Sequence, residues 1–244
     1  MFKLYVIFHK FLVPECYETL SIKDIETYVR FMGVNSSIPK EIPEALLPYV
    51  IKERELPWYN PFLQFNRFCE SSAFFHIWKN SLVQTHYIGF LHYDMLLKKE
   101  AIEFLKEKAT ATGDPILFTQ MTLPARSHLS QIIGIPGWER IITFYNAIFN
   151  KTHTLDEIID TEIPLYHSFV IHKNTFNRMM FFAERVIPYM FEMLEFSTTH
   201  LPFMIERLHG VFLAMDKLDM GTVWIPLPGI IHQDRLKDAW KGAL

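Results

Sequence analysis

The chain has 244 residues, 50% of them apolar and 15% aromatic, which excludes bulk disorder and supplies the material for a full-sized core. A formal net charge of −3 with no basic run excludes the electrostatic footprint of a non-specific nucleic-acid binder. With only 9 glycines and neither G-x-G-x-x-G nor G-x-x-x-x-G-K-[ST], a glycine-rich phosphate loop is excluded as well. Cys16 and Cys69 make no disulfide framework and lack the spacing of a zinc site, so a reducing, cytoplasmic setting is expected. The apolar run Leu4 to Phe8 is too short for a signal sequence, and no stretch reaches the roughly 18 residues of a bilayer span. The expectation is a soluble protein with at most a peripheral membrane contact.

Taken in order, Leu4 to Phe8 reads as a buried strand and Thr27 to Val34 as a second, ending at Gly33. Five prolines between Ser36 and Pro61 break any long helix and leave loop with a short helix near 40–47. A helix is expected from Pro61 to Ser81, then a strand from His86 to Tyr93, a charged helix from Lys98 to Thr110 and a strand from Pro115 to Gln120. Gly137 to Asn150 reads as helix and Ser168 to His172 as strand. Asn174 to Glu195 reads as a helix that Pro188 should kink or split. From Thr199, a suitable cap, to Asp216, apolar residues at three and four (Leu201, Met204, Ile205, Leu208, Val211, Phe212, Met215) give the cleanest helix. Thr222 to Ile225 is a last strand, followed by loop and a short helix. Strands alternating with helices imply a single α/β domain over residues 1–244, with a mostly parallel sheet and helices on both faces. Ligands of such sheets sit at the carboxyl ends of the strands, which directs attention to the residues after Phe8, Gly33, Tyr93 and Gln120.

Neither H-E-x-x-H nor G-x-S-x-G occurs. The segment 87–94 is the most suggestive: an apolar strand delivers His92, Tyr93 and Asp94 in succession. Such a triplet can meet a phosphate-bearing ligand, directly or through a hard cation on Asp94. It can equally be a packed histidine and an aspartate capping a turn. His9 and His86 also fall at strand ends, where an imidazole is more often structural than chemical. Glu70 shares a helix face with Phe74 and Ile77, so it either reaches solvent or is a buried acid that needs a partner or a cleft. Trp78-Lys79-Asn80 makes an ordinary helix end, with a cation suited to the dipole. On the clean helix Glu206 lies off the apolar stripe and Arg207 flanks it, as a solvated face would have them.

Together, Asn66-Arg67-Phe68-Cys69-Glu70, Trp78-Lys79-Asn80 and Tyr87-Ile88-Gly89-Phe90-Leu91-His92-Tyr93 resemble a bacterial and viral family of glycosyltransferase-like proteins of capsular and exopolysaccharide synthesis. Its pattern is an N-x-x-[YF]-C-E-x-[ST] helix, a W-K-N end and a Y-I-G-[LF]-x-H-Y-R-R strand. Phe169-Val170-Ile171-His172-Lys173 with Phe176, Phe203-Met204-Ile205-Glu206-Arg207-Leu208, and Phe8-His9-Lys10 fit its later strand-to-helix step, its F-I-x-E-R-L helix and its opening T-H-K.

The resemblance implies a GT-A-like fold and transfer of a sugar from a UDP- or GDP-type donor to a hydroxyl of a glycan acceptor. By it, the nucleotide lies near His9, Lys10 and Gly33, and the diphosphate near His92, Tyr93 and Asp94, with Glu70 in the same neighbourhood. Asp94 is the one carboxylate available for Mn²⁺ or Mg²⁺, and Asp94-Met95 stands where the family has Arg-Arg. Metal dependence therefore stays open. The alternative is that Lys10, Arg67, Lys79 and Arg207 neutralise the leaving diphosphate. Glu206, Asp160 and His167 are candidates for the general base, in that order. The competing expectations are a non-catalytic nucleotide- or glycan-binding module and a structural protein that associates through its aromatic faces.

Overall fold

The structure is a computed structural model that describes residues 1–111 and 115–232. The described elements are β1 (Phe2–Phe8), α1 (Ile22–Tyr28), β2 (Val29–Gly33), β3 (Val50–Lys52), α2 (Pro61–Phe65), α3 (Ser71–Lys79), β4 (Tyr87–His92), β5 (Met95–Leu97), α4 (Lys99–Ala111) and β6 (Ile116–Thr119). They continue with β7 (Thr122–Pro124), α5 (Ala125–Leu129), α6 (Gly134–Phe149), α7 (Asp156–Ile159), β8 (Glu162–Pro164), β9 (Phe169–His172), α8 (Lys173–Met193), α9 (Leu201–Met220), β10 (Val223–Pro226) and β11 (Ile230–His232). Seven strands form one sheet in the order β10-β6-β9-β4-β1-β2-β3. All its pairings are parallel except those of β9, which runs antiparallel to both β4 and β6.

Side-chain alternation explains why β1 is an unbroken apolar run. Tyr5 and Ile7 point into a core shared with α3, α6, α8 and α9, while Phe2, Leu4, Val6 and Phe8 point into a second core under α1 and α4. The expected α/β class, mostly parallel sheet and two helical layers are what the chain adopts. At the sheet centre Gly89 is required by proximity: a Cβ there would meet Leu4 Cδ2 at 2.4 Å and Val170 Cγ2 at 2.8 Å. No helix among the described residues is long and apolar enough to cross a membrane.

Several elements differ from the sequence reading. The helix expected over 61–81 is two helices, because Arg67 and Cys69 adopt left-handed φ of 60° and 50° and turn the buried Phe68 inward. The stretch between the first two strands, expected as loop or a short helix, contains α1, started by a capping box in which Ser21 and Asp24 bond each other's backbone, and the second strand begins at Val29 rather than Thr27. The proline-rich stretch contains β3, which extends the sheet beside β2. α8 passes through Pro188 unsplit, since Pro188 and Glu184 lie on its exposed side, where solvent can take the carbonyl that proline leaves unpaired. α9 starts at Leu201 with Pro202 in its first turn, and no side chain caps it, so Thr199 does not. The short helix expected in the tail lies outside the described residues.

The far end of α9 is fastened by a polar network. Buried Asp216 accepts from Arg178, Thr175 and Thr222, and Asp219 accepts from His153 Nε2 at 2.8 Å and pairs with Lys151 at 3.0 Å. Burial alone would lower the His153 pKa, but Asp219 and Glu157 raise it above its ordinary 6.5. Burial likewise opposes ionisation of Asp219, yet its hydrogen bonds from His153, Tyr145 and Lys151 hold it below 3.8. The raised imidazole adds stability that is complete below about 6.5 and is lost as pH climbs through its folded value; the depressed carboxyl adds stability above about 4 that is lost on acidification.

Two outcomes follow for stability. His153→Gln should flatten the fall in Tm between about pH 6 and pH 8 that the native imidazole produces. Gly89→Ala should cost about 1–3 kcal/mol in denaturant unfolding, because the sheet must spread to admit one methyl.

Candidate functional site

The chemistry collects at one edge of the sheet, where β1, β2 and β4 end and β9, running the other way, begins. His9 follows β1, His92 ends β4, and His167 lies two residues before β9. The turn between α2 and α3 brings Glu70 to this edge, where His9 Nε2 lies 2.7 Å from Glu70 Oε1. Burial alone would raise the Glu70 pKa, but the hydrogen bond and charge of His9, then the charge of His92, hold it far below the carboxylate range. Glu206, on α9, responds in the opposite sense. Burial pushes its pKa up, against the Tyr166 N–H that it accepts and the charges of His92 and Arg207. Two carboxylates within electrostatic reach of His92 are thus driven apart in acidity. His92 Nε2 is itself buried without a hydrogen-bond partner among the described residues.

Behind this group His209 Nδ1 and His167 Nε2 are 3.0 Å apart, both rings buried. Burial pushes His167 down to about 3 and His209 also well below its usual value, so the pair is neutral and one ring donates to the other. Phe74 stacks on His209, with centroids 5.2 Å apart and planes inclined by 11°. Tyr166 and His167 adopt left-handed φ of 61° and 46°, a costly conformation for two successive side chains, and in it the Tyr166 N–H meets Glu206. Gly210 lets α9 come this close: a Cβ there would lie 2.6 Å from the Pro164 carbonyl oxygen.

A cavity of about 380 Å³ opens at this edge, with His9, Lys10 and Glu70 on its polar side and Phe11, Tyr93 and Phe203 on its apolar side. Ile38 separates it from a second cavity of about 490 Å³ beyond β2 and β3, bordered by Gly33, Ser36, Lys40, Lys52 and Arg54. Lys40 ties the two together. Its Nζ donates to the carbonyls of His9, Val34 and Asn35, the last at 3.0 Å, and burial lowers its pKa to about 8. Buried Glu53 completes the support. It accepts from the Asn35 N–H at 2.8 Å and Ser72 Oγ at 2.8 Å, and lies 3.0 Å from His76 Nδ1.

The structure therefore gathers His9, Glu70, His92, Tyr93, His167 and Glu206 at one edge, with Lys10 and Gly33 on the adjoining walls. Arg67 is exposed in the turn before Glu70. Asp94 occupies the turn after β4, close enough to raise the pKa values of Tyr17 and Tyr93 together with their burial, and is not among the residues lining either cavity. Three other residues do not join the group. Lys79 sits at the far end of α3, about 12 Å along the helix from Ser71, paired with Glu184 at 2.5 Å. Arg207 is buried, donating to the carbonyls of His128 and Phe203 and to Gln131. Asp160 is exposed in a bidentate pair with Arg126 at 2.8 and 3.0 Å. His209, Lys40 and Glu53 were missed in the sequence. Only His209 left a trace there, an imidazole four residues after Ile205 inside an apolar stripe.

A divalent cation would need several converging oxygen or nitrogen donors. Among the described residues no three His, Cys, Asp or Glu side chains converge in that way, so the protein's own groups do not fit a metal held by the chain alone.

No family model matches the sequence, and no curated protein matches it. Among solved structures, the apo form of the bifunctional glycosyltransferase WbbM superposes with a TM-score of 0.62 at 13% identity, over 95% of this chain and 45% of that one. The chain thus spans less than half the length of WbbM and shares its fold over that part. Core-mannan synthase A (CmsA/Ktr4) from Aspergillus fumigatus, in its Mn/GDP form, matches more loosely, with a TM-score of 0.41 at 11% identity over 91% of this chain and 72% of that one.

Lys40→Met, which strips three carbonyls of their donor, should lower unfolding stability by about 2–3 kcal/mol. Lys10→Met, removing one arm of an exposed pair with Glu41, should change it by less than about 0.5 kcal/mol.

Proposed function

We propose that the chain is a glycosyltransferase, a single GT-A-like domain that moves a sugar from a nucleotide diphosphate donor to a hydroxyl of a glycan acceptor in the cytoplasm. The observation that carries this reading is the gathering at one edge of the sheet of Glu70, which lines the cavity, with His92 and Glu206, the two carboxyls being pushed to opposite acidities. The fold shared with part of WbbM and the motifs in the sequence support it.

In this reading the acceptor oxygen attacks the anomeric carbon while the bond from that carbon to the diphosphate breaks, and the electron pair leaves with the phosphate. Glu206 takes the acceptor proton. Burial raises its pKa, which makes its carboxylate a stronger base than an exposed one, and the Tyr166 N–H fixes its orientation. Ionised Glu70 holds His9 in place and accepts hydrogen bonds from donor hydroxyls. The buried, open Nε2 of His92 serves the sugar or its leaving oxygen. The neutral pair His167 and His209 acts as packing behind Glu206. Phe11, Tyr93 and Phe203 offer an apolar wall to a sugar or base ring, and the nucleoside extends past Gly33 toward Lys52 and Arg54. Lys10 and Arg67 are the cations placed to answer the charge that develops on the diphosphate. Asp94 can give a metal only one carboxylate, and no step is assigned to Mn²⁺ or Mg²⁺.

Glu206→Gln keeps an acceptor for the Tyr166 N–H but cannot take a proton. Turnover of UDP- or GDP-sugars should fall about 10²–10⁴-fold with Tm nearly unchanged, and the acid limb of the pH–rate profile should disappear. Thermal shift with UDP or GDP should be retained in this variant. Undiminished transfer in both Glu206→Gln and Glu70→Gln would sink the assignment. Nucleotide binding without turnover in the native chain would leave a binding module.

A further inference from the structure

A third cavity, of about 370 Å³, lies at the carboxyl ends of β6 and β10. It shares α9 with the site above, but from the other end: Pro202 and Phe203 reach the first cavity, Ala214 and Lys217 this one. At 1.5 Å per residue the two stand about 20 Å apart along the helix. Its lining joins one aromatic ring and apolar side chains, Ile158 and Leu218 among them, to hydroxyls, two carboxylates, Gln120 and Lys217. Trp224 forms one wall, partly packed on the core, and its indole Nε1–H is buried without a partner among the described residues. Lys217 Nζ lies 4.4 Å from the centre of that ring. Thr119, Thr122 and Thr161 supply hydroxyls.

Glu157 and Glu162 are fixed in place. Glu157 accepts from the Thr154 N–H at 2.7 Å, and Glu162 accepts from the Thr122 hydroxyl. One lysine against two carboxylates does not suit a phosphate. Anchored carboxylates, hydroxyls and an indole N–H beside a ring suit a ligand rich in hydroxyls with apolar C–H faces.

We infer that this cavity is a second saccharide-binding site, which holds a stretch of uncharged glycan at a distance from the reacting end. The choice of a saccharide over other polyhydroxyl ligands rests on the transferase reading. Distance along α9 makes it a holding site: a sugar unit bound here cannot also lie beside Glu206, so only a chain of several units engages both.

The test is a titration of the ¹⁵N-labelled full chain with maltotriose, cellotriose and mannotriose, following the indole N–H resonance identified as Trp224 by its absence in Trp224→Phe. The expected result is a saturable shift of that resonance with at least one trisaccharide, and its loss, or at least about tenfold weaker binding, in Thr161→Trp, which fills the mouth from an exposed position. UDP or GDP, titrated separately, should move other resonances equally in native chain and variant. No shift with any trisaccharide, or an equal shift in Thr161→Trp, overturns the second site even where nucleotide binds. A saturable Trp224 shift without any nucleotide binding upholds the saccharide site and counts against the transferase reading instead.

Discussion

Two-sided burial of the sheet is the constraint on which the rest depends. β1, β2, β4, β6 and β9 are covered on both faces, so neither face can hold an unpaired polar side chain without loss of hydration. Polar groups are expelled to the strand ends, and only at one edge do three parallel strands stop together beside the start of an antiparallel fourth. His9, His92 and His167 are at that edge for this reason, not because each was separately placed. The reversal of β9 matters as much as the parallel strands, since it carries His167 and Tyr166 to where α9 can meet them.

The same burial that makes the edge apolar gives its charges their differences. Glu70 and Glu206 both lose solvent, but Glu70 gains a hydrogen bond to His9 while Glu206 gains mainly a backbone N–H. Equal side chains in slightly unequal surroundings thus acquire opposite tendencies, one remaining ionised and the other poised to exchange a proton. That separation holds only while the surroundings are rigid. Rigidity comes from groups whose own bonds run to the frame: Lys40, on the wall of the second cavity, pinning three carbonyls at the exits of β1 and β2, Glu53 beside it, and the network of Asp216 and Asp219 that anchors α9 at its other end.

α9 is the element that joins these parts. Its first turn walls the cavity at the strand ends, its second turn presents Glu206 and Arg207, its middle packs His209 on Phe74, and its last turns reach the cavity beside Trp224. Arg207 is adjacent to Glu206 in sequence but faces α5 and the segment before α6, where it bonds His128 and Gln131. A 100° step around a helix is enough to give neighbours unrelated tasks.

Apolar runs and their periods were sufficient to read the central strands, the long helices and the layered α/β class, because those signals report burial, and burial decides the architecture. The positions of His9, His92 and Glu206 at strand ends and on a helix were legible in the same way. What could not be read was which of these side chains meet. Lys79 and Glu70 share a segment of sequence yet point to opposite ends of α3, and Asp160 is held at the surface by its pair with Arg126. Lys40, Glu53 and Gly210 act largely through contacts with carbonyls and side chains 18 or more residues away, for which local sequence has no signature. The sequence by itself determined which residues must leave water. Tertiary structure alone decided which charges then faced one another, since pairing across a fold depends on strand order, on reversal of β9 and on left-handed turns at Arg67, Cys69 and Tyr166, none of which leaves a periodic trace.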